Sequence, residues 1–197
     1  MGGEEYVLAA TGKCKTMKEK ELLPLFGIVT VLNTPFTADD RIDCTSLRRN
    51  VASALEAGVA GFLVPAMASE VESLSEDERL LILETVLAEV RGRVPVIAGA
   101  SAPTREQRIR LTKAAVGLGC QGVLVSIPYE DERQYRTEVE AIAKWVPGFL
   151  VLQDWDPGGS GVPVPLIANL FREIEAFRAY KIEVAAAGLK YLNTQRF

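Results

Sequence analysis

From residue 27 onward the chain alternates two hydrophobic textures. Short, nearly continuous apolar runs are "GIVTVL" from Gly27, "GFLVPAM" from Gly61, "VPVIAGAS" from Val94, "GVLVSIP" from Gly122, "FLVLQD" from Phe149 and "FRAYKIEV" from Phe177. Rich in β-branched residues, they predict six strands buried on both faces, as in a parallel sheet. Between them the apolar positions step at helical spacing: Leu47, Val51 and Leu55; Leu80, Leu83, Leu87 and Val90; Leu111, Ala115 and Leu118; Val139, Ile142 and Val146; Ile167, Leu170 and Ile174. "SEDE" at Ser75–Glu78 and "TREQ" at Thr104–Gln107 are capping boxes that start two of these helices, and Gly58, Gly92 and Gly119 supply stop signals.

From Gly61 the strand starts recur about thirty residues apart, the size of a βα unit. Strict alternation without a long crossover predicts an α/β fold, a (β/α) barrel rather than a doubly wound sheet. No GxGxxG follows the first strand, which weakens the dinucleotide-binding alternative. A closed barrel of this kind needs eight units, and after the sixth strand only "AAAGLKYLNTQRF" remains. The expected organisation is an N-terminal leader or arm at 1–26 and a barrel domain at 27–197 that lacks the last two βα units. Six parallel strands leave two open edges. The chain is part of a longer protein, or another chain covers its edges, or it is an open variant of low stability; the first is the preferred expectation.

Composition narrows the chemistry. The 197 residues, 48% hydrophobic, suffice for one domain with a sizeable core. A net charge of −4 and no block of Lys and Arg argue against a nucleic-acid partner. Cys14, Cys44 and Cys120 are far apart and odd in number, so neither a disulfide framework nor a zinc site is legible, and a reducing cytoplasm fits best. The N-terminus lacks the basic and apolar regions of a signal peptide, and no apolar run reaches the roughly 18 residues of a membrane helix; no membrane partner is expected. The chain has no histidine. Nucleophile systems that depend on histidine and histidine-ligated metals are therefore excluded, leaving lysine, carboxylate, tyrosine or an unassisted thiol for covalent work.

One lysine stands out. Lys181 lies in the latter half of the sixth strand, and barrel chemistry projects from the C-terminal strand ends. A snorkelling lysine would have the same pattern; a partly desolvated one could present a neutral amine to a ketone.

Four stretches carry a resemblance: "TPFTADDRID" at Thr34–Asp43, "GRVPVIAGAS" at Gly92–Ser101, "IPYE" at Ile127–Glu130 and "YKIE" at Tyr180–Glu183. Collinear from about Phe26 to Glu183, they resemble the dihydrodipicolinate synthase and N-acetylneuraminate lyase family, Schiff-base aldolases and lyases built on (β/α)8 barrels. The resemblance implies that Lys181 forms an imine with a 2-oxo acid such as pyruvate, that no cofactor is needed, and that the protein is a homo-oligomer, dimer or tetramer.

The departures from that pattern shape the expected site. Where the family has Gly-Thr-Thr-Gly-Glu, this chain reads "AMASE", so Met67 and Ala68 replace the two threonines that would hold the substrate carboxylate. Backbone N–H groups there and the Ser69 hydroxyl are the substitute donors, and Glu70 matches the motif glutamate that ties the loop. Gln153 falls at the position of a proton-shuttling tyrosine; an amide can orient a substrate but cannot relay a proton. Asp154 beside it is a candidate acid or base, or a turn residue. Tyr129 lies where the family places a tyrosine that completes a neighbouring subunit's relay, but Glu130 follows it. Glycine, at 158 or 159, replaces the arginine that grips the synthase's second substrate, which argues against dihydrodipicolinate synthesis. The expected function is a lyase, aldolase or dehydratase acting on a small 2-oxo acid through Lys181; the alternative is a degenerate or truncated member that acts as a binding protein.

Overall fold

The computed structural model describes residues 25–195. The expected arm at 1–26 therefore lies, apart from Leu25 and Phe26, outside the described residues. The repeat folds as β1 (Val29–Val31), α1 (Cys44–Glu56), β2 (Gly61–Val64), α2 (Glu76–Val90), β3 (Val96–Gly99), α3 (Arg105–Leu118), β4 (Gly122–Ser126), α4 (Glu132–Ala143), β5 (Phe149–Asp156), α5 (Val164–Glu173), β6 (Phe177–Val184) and α6 (Ala187–Thr194). The strands form one parallel sheet in the order β1 to β6. Right-handed crossovers in sequential order put the helices on one face and curl the sheet, giving a partial (β/α) barrel as the periodicity predicts.

Three apolar clusters follow from that curl. On the outer face, Phe62, Val64, Val96 and Ala98 pack against Leu47 and Val51 of α1 and Ile82, Val86 and Val90 of α2. Val123, Val125, Leu150 and Leu152 pack against Tyr135, Val139 and Ile142 of α4 and Leu166 and Leu170 of α5. Leu63, Ile97, Leu124 and Val151, the alternate residues of β2 to β5, fill the concave face. Both predicted capping boxes form: Ser75 caps α2 with Glu78 reaching back, and Thr104 caps α3 with Gln107 reaching back. Asp43 and Asp131 cap α1 and α4 by the same acceptor chemistry.

Three details differ from the sequence reading. The buried stripe of α2 is Ile82, Leu83, Val86 and Val90; Leu80 and Leu87 flank it half-buried, because the helix is apolar on too many sides for spacing to choose one. β1 and β6 are only partly buried, since among the described residues each has a strand neighbour on one side alone. The residues after β6 are not a bare tail but form α6, which docks beside β6 through a buried lysine, Lys190.

Candidate active site

The site sits at the C-terminal ends of β5 and β6, and one irregularity decides which side chains face it. Between Leu150 and Val151 the register shifts, so Leu150 pairs with Phe177 but Val151 pairs with Ala179. Strict alternation from the buried, outward-facing Phe177 would put Lys181 on the helix side. The extra residue reverses this. Lys181 then pairs with Gln153 and Glu183 with Trp155, so all four share the concave face with Val151. Asp154, Tyr180 and Ile182 take the outer face.

On the concave face Lys181 Nζ forms an ion pair with Glu183 Oε2 at 2.7 Å, the two side chains being 30% and 31% exposed. Gln153 Nε2 donates to the same Glu183 oxygen and lies 3.9 Å from Met67 Sδ. Gln153 itself is buried. Beyond it a cavity of about 380 Å³ opens at the strand ends, lined by Met67, Arg79, Ser101, Ser126, Gln153 and Trp155 among others. Met67 and Trp155 are each about half exposed at its rim. Gly99 is required at its floor, because a Cβ there would stand 1.8 Å from the Pro65 carbonyl oxygen. Arg79 ties the loops together, donating to the carbonyls of Leu74, Ser101 and Val71.

The loop after β2 is held differently from the sequence expectation. Met67–Ser69 makes a short 3₁₀ turn. The Ser69 hydroxyl donates to Leu32 O and accepts from Ala66 N, while Thr34 donates to Ser69 O at 2.7 Å. Ser69 is fully buried and its hydroxyl proton is committed, which corrects its reading as a donor to a bound carboxylate. Met67 and Ala68 are left with backbone N–H groups at the start of a turn. Glu70 is exposed and takes a left-handed φ of 59°; the ties it was expected to make are made by Ser69 and Thr34. Tyr129 is 37% exposed and packs edge-on against Tyr135, with ring centroids 5.8 Å apart; it is not brought against Lys181.

Asp154 belongs to a second polar cluster, on the outer face. Its carboxylate accepts from Val162 N at 3.1 Å, from the Tyr180 hydroxyl and from Lys190 Nζ. Lys190 spends its other donors on the carbonyls of Ser160 and Val162, each at 2.6 Å. The structure thus separates Asp154 from Lys181 by the thickness of the sheet, and the carboxylate beside the amine is that of Glu183. The "GGSG" loop wraps Asp154 and Asp156: Gly161 N donates to Asp156 at 2.9 Å. Gly161 has φ +63°, and a Cβ on it would lie 2.1 Å from Asp154 Oδ1. Burial pushes the hydroxyls of Tyr135 and Tyr180 well above the usual tyrosine range, and the hydrogen bond to Asp154 pushes Tyr180 further.

Sequence reading missed Lys190, Tyr180 and the partnership of Lys181 with Glu183. The last was legible as a two-residue spacing on one strand. The first two needed α6 and the bulge.

Among the described residues, no group of three or more Cys, Asp or Glu is placed to hold a metal ion, and no helix is long and apolar enough to cross a membrane. Comparison with known proteins gives a consistent picture of the fold. Residues 24–141 match the model of the dihydrodipicolinate synthetase family, a region that stops short of β5 and β6. The 4-hydroxy-tetrahydrodipicolinate synthase of Salinibacter ruber is 37% identical over 120 residues, 59% of this chain and 40% of that relative. A crystal structure of dihydrodipicolinate synthase from Bacillus anthracis superposes with a TM-score of 0.78 at 27% identity, covering 87% of this chain and 60% of that one. N-acetylneuraminate lyase from Mycoplasma synoviae shares the fold, with a TM-score of 0.74 at 20% identity over 86% of this chain and 58% of that one. The chain spans about half the length of the curated relatives it matches.

Proposed function

The chain belongs to the dihydrodipicolinate synthetase family, and on that premise we propose that it acts as a lyase, aldolase or dehydratase on a small 2-oxo acid of the pyruvate type, with Lys181 forming a Schiff base. The observation that carries this reading is the placement of Lys181. It lies on the concave face near the end of a strand, where a partial barrel presents its chemistry, 30% exposed and joined through Glu183 and Gln153 to the edge of a 380 Å³ cavity. An imine on its nitrogen withdraws electrons from the neighbouring carbon, which is the chemistry that making or breaking a bond there requires.

The remaining roles follow from what each residue can offer. Gln153 orients the substrate or a water, and the backbone N–H groups of Met67 and Ala68 meet the carboxylate in place of hydroxyls. Met67 and Trp155 give the mouth an apolar rim suited to a bulky group beyond the oxo acid. Asp154 serves from the outer face by fixing β5 and α6. The glycines at 158 and 159, where the resemblance places an arginine, favour a second substrate other than that of the synthase. A homo-oligomer would cover the free edges of β1 and β6 and the exposed Leu189, Tyr191 and Leu192.

A binding protein that keeps the lysine without turnover is the second reading. It is favoured by the committed hydroxyl of Ser69 and by an amide at Gln153 that carries no transferable proton. Incubation of the chain with pyruvate, reduction with borohydride and peptide mass analysis tests the Schiff-base reading at its first step. An adduct on Lys181, absent from K181A, is the expected result. A folded sample with no adduct sinks the Schiff-base reading.

A further inference from the structure

We propose that Glu183 is the proton carrier for Schiff-base formation at Lys181, taking the proton that frees the amine and returning it to the departing hydroxyl. The proposal rests on the reading of Lys181 given above and assigns a catalytic role to a residue two positions away on the same strand.

The chemistry sets the requirement. An ammonium cannot attack a carbonyl carbon; it must first lose a proton to a base at contact distance. Glu183 Oε2 stands 2.7 Å from Nζ. After attack, a proton passes from nitrogen to oxygen to give the neutral carbinolamine. The C–O bond then breaks only as the oxygen leaves as water, and the protonated Glu183 supplies that proton. The balance closes: ammonium and ketone become iminium and water, and Glu183 ends as the carboxylate it began as. No oxidant, metal or second enzyme group enters.

The surroundings single out Glu183 for this task. Tyr129 is not against Lys181, Gln153 has no acid-base proton to give, and Asp154 is on the other face of the sheet. Facing Glu183 from β5 are Gln153 and Trp155, both uncharged, and from the loop after β2 comes Met67, against Gln153. Among the described residues, Lys181 is the one charged group within ion-pair distance of Glu183. Gln153 grips the carboxylate oxygen that also meets Nζ, which fixes the carboxylate where the proton must move and explains why an amide serves at that position.

The test follows adduct formation on the full chain, with pyruvate as the probe, cyanoborohydride as the trap and peptide mass as the readout, across pH 5 to 9. E183Q keeps the shape and loses the proton carrier; trapping at Lys181 should slow by about 100-fold or more, with a changed pH profile. E183D should recover part of the rate. E183A should be rescued at least about tenfold by added formate, a small carboxylate able to occupy the vacated place, while formate leaves the wild type unaffected; a merely structural role would show no such rescue. Thermal unfolding of each variant confirms that it is folded. If the wild type traps pyruvate on Lys181 and E183Q does so within about threefold of its rate, Glu183 is not the carrier and Lys181 stands alone. If the wild type itself gives no adduct, the Lys181 reading falls and this one falls with it, an outcome distinct from the first.

Discussion

Replacing Asp154 by asparagine exchanges one carboxylate oxygen for an amide nitrogen at the centre of the outer-face cluster, and its cost can be reasoned from the contacts. The carboxylate is 3% exposed and Lys190 is 7% exposed. In the variant Lys190 keeps the carbonyls of Ser160 and Val162, but its counter-charge is gone, and Tyr180 donates to a weaker acceptor. Removing one member of a buried ion pair costs roughly 3–5 kcal/mol, because the remaining charge stays buried without compensation. Against a total stability of roughly 5–15 kcal/mol that is a large fraction, and for a chain of this size it lowers Tm by about 10 °C. Thermal and urea unfolding followed by circular dichroism measure it directly.

The companion variants make the reasoning refutable. K190M leaves Asp154 with the Tyr180 hydroxyl and Val162 N–H, so it should cost less than D154N. The double variant D154N/K190M removes both charges and should recover most of the loss. A D154N chain within about 1 kcal/mol of the wild type, or a double variant whose loss is the sum of the singles, would show that the pair does not hold α6 as argued.

Gly161→Ala should destabilise by about 3 kcal/mol or more, since it combines a left-handed φ of +63° with a Cβ 2.1 Å from Asp154 Oδ1; the same denaturation series reads it. Alkaline unfolding should expose Tyr135 and Tyr180, both raised above the ordinary value of 10 in the folded chain. Their contribution is fully present below pH 10 and is lost as pH rises above it, because the unfolded chain gives up those protons first, at about 1.4 kcal/mol per pH unit for each tyrosine. In Y180F that slope should be halved between pH 10 and 11 if these two groups dominate it; an unchanged slope would contradict the burial of Tyr180.

Much of the fold was legible because the repeat is regular. Six strands and five helices were marked by apolar runs and helical stripes, and the two capping boxes formed at Ser75 and Thr104. Lys181 was legible as a charge where the pattern wanted an apolar residue. What escaped depends on contacts far apart in sequence. α6 is short and lacks a capping side chain, so local signals could not mark its start. Lys190 reaches 36 residues back to Asp154, and no periodicity encodes that. Ser69 was read as free because its partner, Leu32 O, lies just past β1, 37 residues away in sequence. The face of Lys181 was predicted from the strand end alone, yet it depends on a bulge that sequence spacing cannot place.

The outer cluster and the concave site are linked by that register. Gln153 and Asp154 are consecutive, so a one-residue slip of β5 would exchange them between the two faces. Gln153 would then face Lys190, leaving an ammonium buried against an amide, and Asp154 would replace the grip that Gln153 holds on Glu183. Among the described residues β6 has a strand neighbour on one side alone, so backbone pairing specifies its position less firmly than it does for β3 or β4. The ion pair of Asp154 with Lys190 and the hydrogen bond from Tyr180 supply the missing specification: they are satisfied only when β5, β6 and α6 meet in the observed register. On this argument the outer face holds no chemistry of its own, yet it fixes which of two neighbouring residues reaches Glu183 and Lys181. The variant D154N should therefore slow trapping at Lys181 even at temperatures where the chain remains folded, by loosening the edge strand that carries the amine.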